Sequence, residues 1–366
     1  MSVASIYRTQ NLMIEIFKAA IQRGASDLHI KSGDFMRARV SGDLQPVTQQ
    51  RLSPDQVRQI CLQLIPHARD RERINELNDY DCSWSAPGVG RFRVNILRQR
   101  GTLMAVLRVI PIEIPSFDAL RLPPVLAGIA VADRGMVLVT GVTGSGKSST
   151  LAAMIGYINQ NRRKHIITLE NPIEFLHRDQ NSSITQREIG TDTPSFEVGL
   201  RAALREDPDV MLIGEMRDTT TIDTAMKAAE TGHLVLSTLH TTNAVQTISR
   251  VISVFPPHEQ EMVRVRLSEN LVAVVSQRLL PRKDTNGRIV AAEVMIVTAT
   301  IRDAILDKEK TGSIPDLMAE GREQYGSQTF DQQLMDLVTQ DQVSFEVARA
   351  AATNPSDFEL KMRTLA

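Results

Sequence analysis

The stretch Gly141-Val142-Thr143-Gly144-Ser145-Gly146-Lys147-Ser148-Ser149 constrains this chain more than any other. It follows the apolar run Met136-Val137-Leu138-Val139-Thr140 and precedes Thr150-Leu151-Ala152-Ala153-Met154-Ile155. The order reads strand, glycine-rich loop, helix, and the spacing G-x-x-x-x-G-K-[ST] is that of a P-loop in its proper context. Gly141, Gly144 and Gly146 let the backbone curl until its N–H groups face inward on phosphate oxygens. The N-terminus of the following helix adds positive field. Lys147 is placed to reach the β- and γ-phosphates of ATP and the Ser148 hydroxyl to hold Mg²⁺. Thr143, Ser145 and Ser149 complete the expected cradle.

A length of 366 residues leaves room for about two domains, each with its own core. The net charge of −1 argues against a globally basic nucleic-acid binder. Cys61 and Cys82 form no metal or redox motif and read as reduced core residues. Glu15 and Lys18 interrupt the first apolar stretch, so no signal peptide is expected. No apolar run reaches the roughly 20 residues that span a bilayer. The expectation is a cytoplasmic protein that works at a membrane only through partners.

Helical periodicity covers residues 11–23, with Leu12, Ile16, Phe17 and Ala20 on one face and Gly24 as the stop. Residues 25–30 read as a strand whose polar face carries Asp27 and His29. Ser41-Gly42-Asp43 marks a hairpin, and Ser53 before Pro54 marks the N-cap of a helix running to Leu64. Residues 79–84, 91–98 and 102–110 alternate as strands, which predicts an antiparallel α+β domain. Arg91, Arg93, Arg98, Arg100 and Arg108 recur there. They form either a solvated face or a surface aimed at an anion, such as a nucleotide held by a neighbouring subunit. Pro111, Pro115, Pro123 and Pro124 mark a semi-stiff, extended linker.

Beyond the P-loop, two apolar runs close on acids. The run 164–170 ends in Glu170, followed by Asn171-Pro172-Ile173-Glu174. In a doubly wound sheet the strand C-termini converge on the ligand crevice, so Glu170 and Glu174 belong either to the nucleotide site or to a charged loop. The run 208–215 ends in Glu215, expected on the strand beside the P-loop. Its arm is long enough to polarise a water in line with the γ-phosphate or to hold Mg²⁺ partly through water. His233 and His240 bracket the next strand. His240, at the strand end, is the better γ-phosphate sensor, whereas His233 is either a sensor or a satisfied structural histidine. Residues 243–254 and 258–279 read as helices, 289–297 as a strand, and the rest as short helices.

Four motifs now stand in order: Gly-Val-Thr-Gly-Ser-Gly-Lys-Ser, Leu-Glu-Asn-Pro-Ile-Glu, Leu-Ile-Gly-Glu-Met-Arg-Asp and Thr-Gly-His-Leu-Val-Leu-Ser-Thr-Leu-His. This set resembles the Walker A, Asp box, Walker B and His box of the secretion/type IV pilus motor ATPases, most closely the pilus retraction ATPases of twitching motility (PilT type). The resemblance implies a PAS-like N-terminal domain (1–110), a linker (111–124), a RecA-like ATPase domain (125–298) and a helical C-terminal region (299–366). It further implies a homohexameric ring, an inner-membrane pilus platform protein as partner, a paralogous accessory ATPase (PilU type), and a peripheral place at the inner face of the cell membrane; the near-neutral charge and the lack of an aromatic-basic stripe add the expectation of no direct nucleic-acid contact. Carried over by motif, Lys147 and Ser148 bind phosphate and Mg²⁺, Glu215 is catalytic, and Glu174 and His240 contact nucleotide or metal. Arg93 and Arg108 match family arginines that reach the nucleotide from the N-terminal domain. Two departures stand out. Asn171 replaces the usual Asp-box aspartate, and residues 300–306 match a segment associated with retraction only in part. The rival readings are an accessory motor, a secretion ATPase and, on the same scaffold, a DNA translocase.

Overall fold

Alternation builds the N-terminal unit. At alternate positions Phe92, Val94 and Ile96 in residues 90–99, and Leu103, Ala105 and Leu107 in residues 102–110, are apolar and buried, so one sheet face closes on the core. The computed structural model describes residues 3–111, 113–285 and 287–365. It divides into two units, Met1–Glu113 with Glu174–Leu176, and Ile114–Ile173 with His177–Ala366. The first runs α1 (Val3–Gln22), β1 (Ala25–Lys31), β2 (Arg37–Val40), β3 (Asp43–Pro46), α2 (Pro54–Leu64), α3 (Ala68–Glu72), β4 (Asp79–Ala86), β5 (Gly90–Gln99) and β6 (Thr102–Ile110). Its described strands form an antiparallel sheet in the order β3-β2-β1-β6-β5-β4. Phe17 of α1 plugs the core, edge-on to Trp84 (ring centroids 5.6 Å apart) and tilted against Phe92 (5.4 Å). A full capping box, Ser53 with Gln56, opens α2 as expected. The α1 helix starts at Val3, earlier than residue 11. Cys61 and Cys82 form no disulfide: Cys82 Sγ donates to Leu64 O at 3.6 Å, and burial pushes the Cys61 thiol up to about 12.

The second unit runs α4 (Phe117–Leu120), α5 (Leu126–Ala130), β7 (Gly135–Thr140), α6 (Lys147–Asn161), β8 (His165–Glu170), β9 (Ser183–Glu188), α7 (Phe196–Ala203), β10 (Val210–Ile213), α8 (Thr219–Glu230), β11 (Leu234–Leu239), α9 (Ala244–Ser253), α10 (Gln260–Asn270), β12 (Leu271–Pro281) and β13 (Arg288–Ile296). It ends in α11 (Ala299–Leu306), α12 (Ile314–Glu320), α13 (Arg322–Tyr325), α14 (Phe330–Thr339), α15 (Phe345–Ala351) and α16 (Pro355–Leu365). The described strands order as β13-β12-β7-β11-β10-β8-β9, parallel throughout except for the β12–β13 pair. Helices bury both faces. Met136, Leu138, Met211, Ile213 and Val235 face α7–α11, whereas Val137, Val139, Leu212 and Leu236 face α5 and α6. Helices α14–α16 close over Leu280, Ile289 and Ala291.

Three expectations are corrected here, and one strand is added. Residues 258–279 are not one helix: α10 stops at Asn270 and the chain passes straight into β12. Val272, Val274 and Val275 are β-branched, and a strand buried on both faces carries no alternation to distinguish it from a buried helix. The polar strand β9 was not foreseen. The proline-rich stretch is not wholly extended, because Ser116 caps the short α4, and the division into units falls inside it, at Glu113/Ile114. Finally, β10 does not adjoin the P-loop strand, since β11 lies between them.

Candidate nucleotide site

In a parallel sheet every strand delivers its C-terminal residue to one edge. That edge receives Gly141 after β7, Glu170 at the end of β8, Glu215 after β10 and His240 after β11. The P-loop leaves β7 through Gly141 at φ 141°, and Gly144 (φ 79°) and Gly146 (φ 94°) complete its curl. A Cβ on Gly141 would lie 2.5 Å from both the Gln277 carbonyl oxygen and Ser145 Oγ, so only glycine fits. Thr143 and Gly144 are exposed, Ser148 and Ser149 half-buried, and Lys147 is 9% exposed. Lys147 Nζ donates to the carbonyls of Gly141 (2.8 Å) and Val142 (3.1 Å), which holds its charge inside the loop. Ser145 Oγ is buried without a hydrogen-bond partner. An unpartnered hydroxyl in a glycine-curled loop at a helix N-terminus fits an anion cradle.

Glu215 stands just past β10, where Gly214 is fixed from both sides: its N–H donates to Leu169 O (2.8 Å) and its carbonyl accepts from Thr238 Oγ1 (2.6 Å). The Glu215 carboxylate accepts from Arg217 Nε (2.7 Å), and His240 Nε2 lies 3.7 Å from the same oxygen. Because β11 separates β10 from β7, His240 occupies the strand end between Glu215 and the P-loop. That placement suits a group that senses what both of them hold.

The remaining expected residues have other surroundings. Glu170 does lie at the strand-end edge, but its Oε1 accepts from Thr168 Oγ1 (2.6 Å) and Gln186 Nε2 (3.1 Å), which binds it to the β8–β9 pair. Glu174 is exposed and falls in the unit of Met1–Glu113. The nucleotide-contact reading of His233 is corrected. It precedes β11 at the opposite edge, roughly 20 Å from His240 at about 3.3 Å per residue. There its Nδ1 lies 2.9 Å from Ala228 O and 3.2 Å from Thr231 Oγ1, the satisfied structural histidine.

In the first unit Arg93 and Arg108 are direct cross-strand partners on β5 and β6, and both are exposed. Arg108 Nε donates to Asp27 Oδ1 at 2.9 Å. Burial alone would raise Asp27, but hydrogen bonds from Ser26 and Arg108 outweigh it and hold the carboxyl below its ordinary value. Asp27 is thus an arginine partner, and among the described residues no group of three or more His, Cys, Asp or Glu could hold a metal. Arg98, by contrast, donates to the carbonyls of Leu77 (2.9 Å) and Asn75 (2.8 Å) and is structural. The sequence reading missed Gln277, Ser276 and Thr150, which lie directly behind the P-loop. The only signal available was a glutamine inside the apolar run 271–280.

A P-loop, a carboxylate and a histidine at the C-terminal edge of a mostly parallel, doubly covered sheet define a RecA-like, nucleotide-binding ATPase. The family model for type II/IV secretion system proteins matches residues 4–349. The type IV pilus ATPase PilU of Pseudomonas aeruginosa is 42% identical, over 95% of this chain and 91% of its own length. The type IV pilus retraction ATPase PilT of the same organism is 43% identical, over 94% and 99%. A crystal structure of the pilus retraction motor PilT with bound ADP superposes with a TM-score of 0.87 at 43% identity, covering 94% of this chain and 98% of that one. The chain belongs to the type II/IV secretion system protein family.

Proposed function

We propose that this chain is an ATP-hydrolysing motor that retracts type IV pili by depolymerising the fibre. The observation that carries the reading is the joint one: a P-loop, Glu215 and His240 share one sheet edge in a chain that matches pilus motors along nearly their whole length. On this reading Gly141–Ser149 binds the ATP phosphates, and Lys147 leaves its loop carbonyls to meet the β- and γ-oxygens. Glu215 orients the attacking water and takes its proton, and His240 follows the γ-phosphate. Glu170, at the same edge, and Glu174 remain proposed nucleotide-side carboxylates.

The residues present fit Mg²⁺. The ion prefers hard oxygen donors and keeps several waters and phosphate oxygens, so one hydroxyl and one carboxylate suffice. Ser148 and Glu215 supply these, Glu215 partly through water. When bound, Mg²⁺ would neutralise phosphate charge. Arg93 and Arg108, paired and exposed, would act on the nucleotide of a neighbouring subunit in a homohexamer, stabilising charge at the γ-phosphate. No described helix is long and apolar enough to cross a membrane. By likeness to the pilus motors, the proposed site of action is the inner membrane face, through the platform protein of the pilus machine, with no direct nucleic-acid contact.

The 42% identity to PilU over 351 residues supports a second reading, an accessory motor that needs a paralogous partner. Time-lapse imaging of labelled pili separates the two in cells that express this chain as their sole retraction ATPase. The main-motor reading predicts that pili shorten. Shortening only when the paralogue is restored would make the chain accessory, and no effect on shortening in either background would overturn both.

A further inference from the structure

The P-loop is gripped from behind by a residue outside every motif used so far. Strand β12 pairs in parallel with β7 up to Ser276↔Thr140, which sets Gln277 level with Gly141. Its backbone carbonyl closes the space behind Gly141, the first residue of the loop. Its side chain reaches past the loop, where Gln277 Nε2 donates to Thr150 Oγ1 at 2.7 Å. Thr150 lies in the first turn of α6, three residues beyond Lys147, and its N–H donates to Gly146 O at 3.0 Å. One residue therefore touches both ends of the phosphate loop. Next to it, Thr140 Oγ1 donates to Ser276 Oγ at 2.9 Å, which locks the two strands in register where the loop departs. Ser276, Gln277, Thr140 and Thr150 are all 1% exposed or less. In so dry a place the two hydrogen bonds that are made, Gln277 Nε2 to Thr150 Oγ1 and Thr140 Oγ1 to Ser276 Oγ, face no competition from solvent and fix the local geometry. Two capacities remain open beside the loop: Gln277 Oε1 and Ser145 Oγ are both buried without partners.

We propose that Gln277 is a positioning residue for the nucleotide site, a brace that spans the P-loop from Gly141 to Thr150 and sets the aim of Lys147 and Ser148. It touches neither phosphate nor water and acts by fixing the distance between β7 and the first turn of α6. The energetic logic is pre-organisation: a loop already held at both ends loses less freedom when phosphate arrives. The inference rests on reading Gly141–Ser149 as the phosphate site, independently of any pilus role.

The test is titration of the full-length protein with a fluorescent ATP analogue and Mg²⁺, with steady-state turnover beside it. Gln277→Met and Thr150→Val each remove the brace, Thr150→Ser keeps it, and Lys147→Ala removes the phosphate contact itself. The proposal predicts about tenfold weaker nucleotide binding and a raised KM for Gln277→Met and Thr150→Val, with a smaller change in kcat. Thr150→Ser binds like wild type, and the double variant is no weaker than either single, because both remove one interaction. Affinity within twofold of wild type in Thr150→Val, alongside loss of binding in Lys147→Ala, overturns the brace alone. Wild-type binding in Lys147→Ala overturns the phosphate-site reading and the brace with it. Independent, multiplying losses in the double variant also overturn the proposal. Should Gln277→Met fail to fold, the near-isosteric Thr150→Val decides.

Discussion

Lys147 donates to two carbonyls of its own loop, so its charge is stored where phosphate oxygens would take it over. Lys147→Ala should weaken ATP binding by roughly 100-fold, the effect of about 3 kcal/mol for a charged hydrogen bond lost from a largely buried site. Fluorescent-nucleotide titration checks this. Glu215 has a different part, since its carboxylate lies off the loop with Arg217 and His240 as neighbours. Glu215→Gln keeps shape and removes the proposed base. Binding should stay within about twofold, and turnover should fall by about 10²-fold or more, in the range that general-base removal produces. Normal turnover in that variant would remove Glu215 from the chemistry. At this scale the sequence was informative where spacing dictates geometry. Gly141, Gly144, Gly146 and Lys147 could be placed because only that spacing curls a loop. His233 could not, because a motif says which residues are near one another along the chain and not which edge of a sheet each one reaches.

At the scale of elements the least legible piece is β12. Asn270 passes into Leu271 with no glycine, proline or loop between helix and strand, so no breaker announces the change. β9 was invisible for the opposite reason: Ser183-Ile184-Thr185-Gln186-Arg187-Glu188 is an edge strand too polar to show alternation. β12 joins the site to the C-terminal helices, because Arg278 stacks over Phe330 (4.0 Å to the ring centroid) and donates to Ala351 O. Its partner β13 carries Glu293, 7% exposed, which accepts from Ala244 N at 2.7 Å and so meets the N-terminus of the helix that follows the His box. Burial pushes Glu293 up to about 7; the Ala244 N–H and Arg278 oppose the shift, and Asp331 adds to it. A carboxyl raised in the folded state holds its proton when the unfolded chain has already released it. Folding stability from this group is therefore greatest below the unfolded pKa near 4.5 and is lost as pH rises to about 7. Glu293→Gln keeps an acceptor for Ala244 N and abolishes the titration. Relative to wild type it should be a few kcal/mol more favourable at pH 8 than at pH 5, as the shift implies. Chemical denaturation at the two pH values measures this, and an equal difference at both would refute it. In the N-terminal unit, Ser53→Ala removes the capping box of α2 and should destabilise that unit by about 1 kcal/mol, read from its unfolding midpoint.

For the whole molecule the proposal is a ring. Arg108 is 72% exposed, beside Arg93 on the neighbouring strand, and an exposed pair of cations on a sheet face fits a group that works on another subunit's nucleotide. Arg108→Ala should then lower turnover more than binding, and only under conditions where the ring assembles. An equal loss in isolated subunits would end the trans reading. In the ring, hydrolysis is proposed to shorten pili. This role is tested most directly by counting surface pili and measuring surface motility in cells whose own copy of this chain carries Lys147→Ala. A retraction motor leaves such cells with abundant pili and no movement. Bald cells would contradict that role by making the chain an assembly motor, and wild-type pilus numbers with normal motility would contradict it outright.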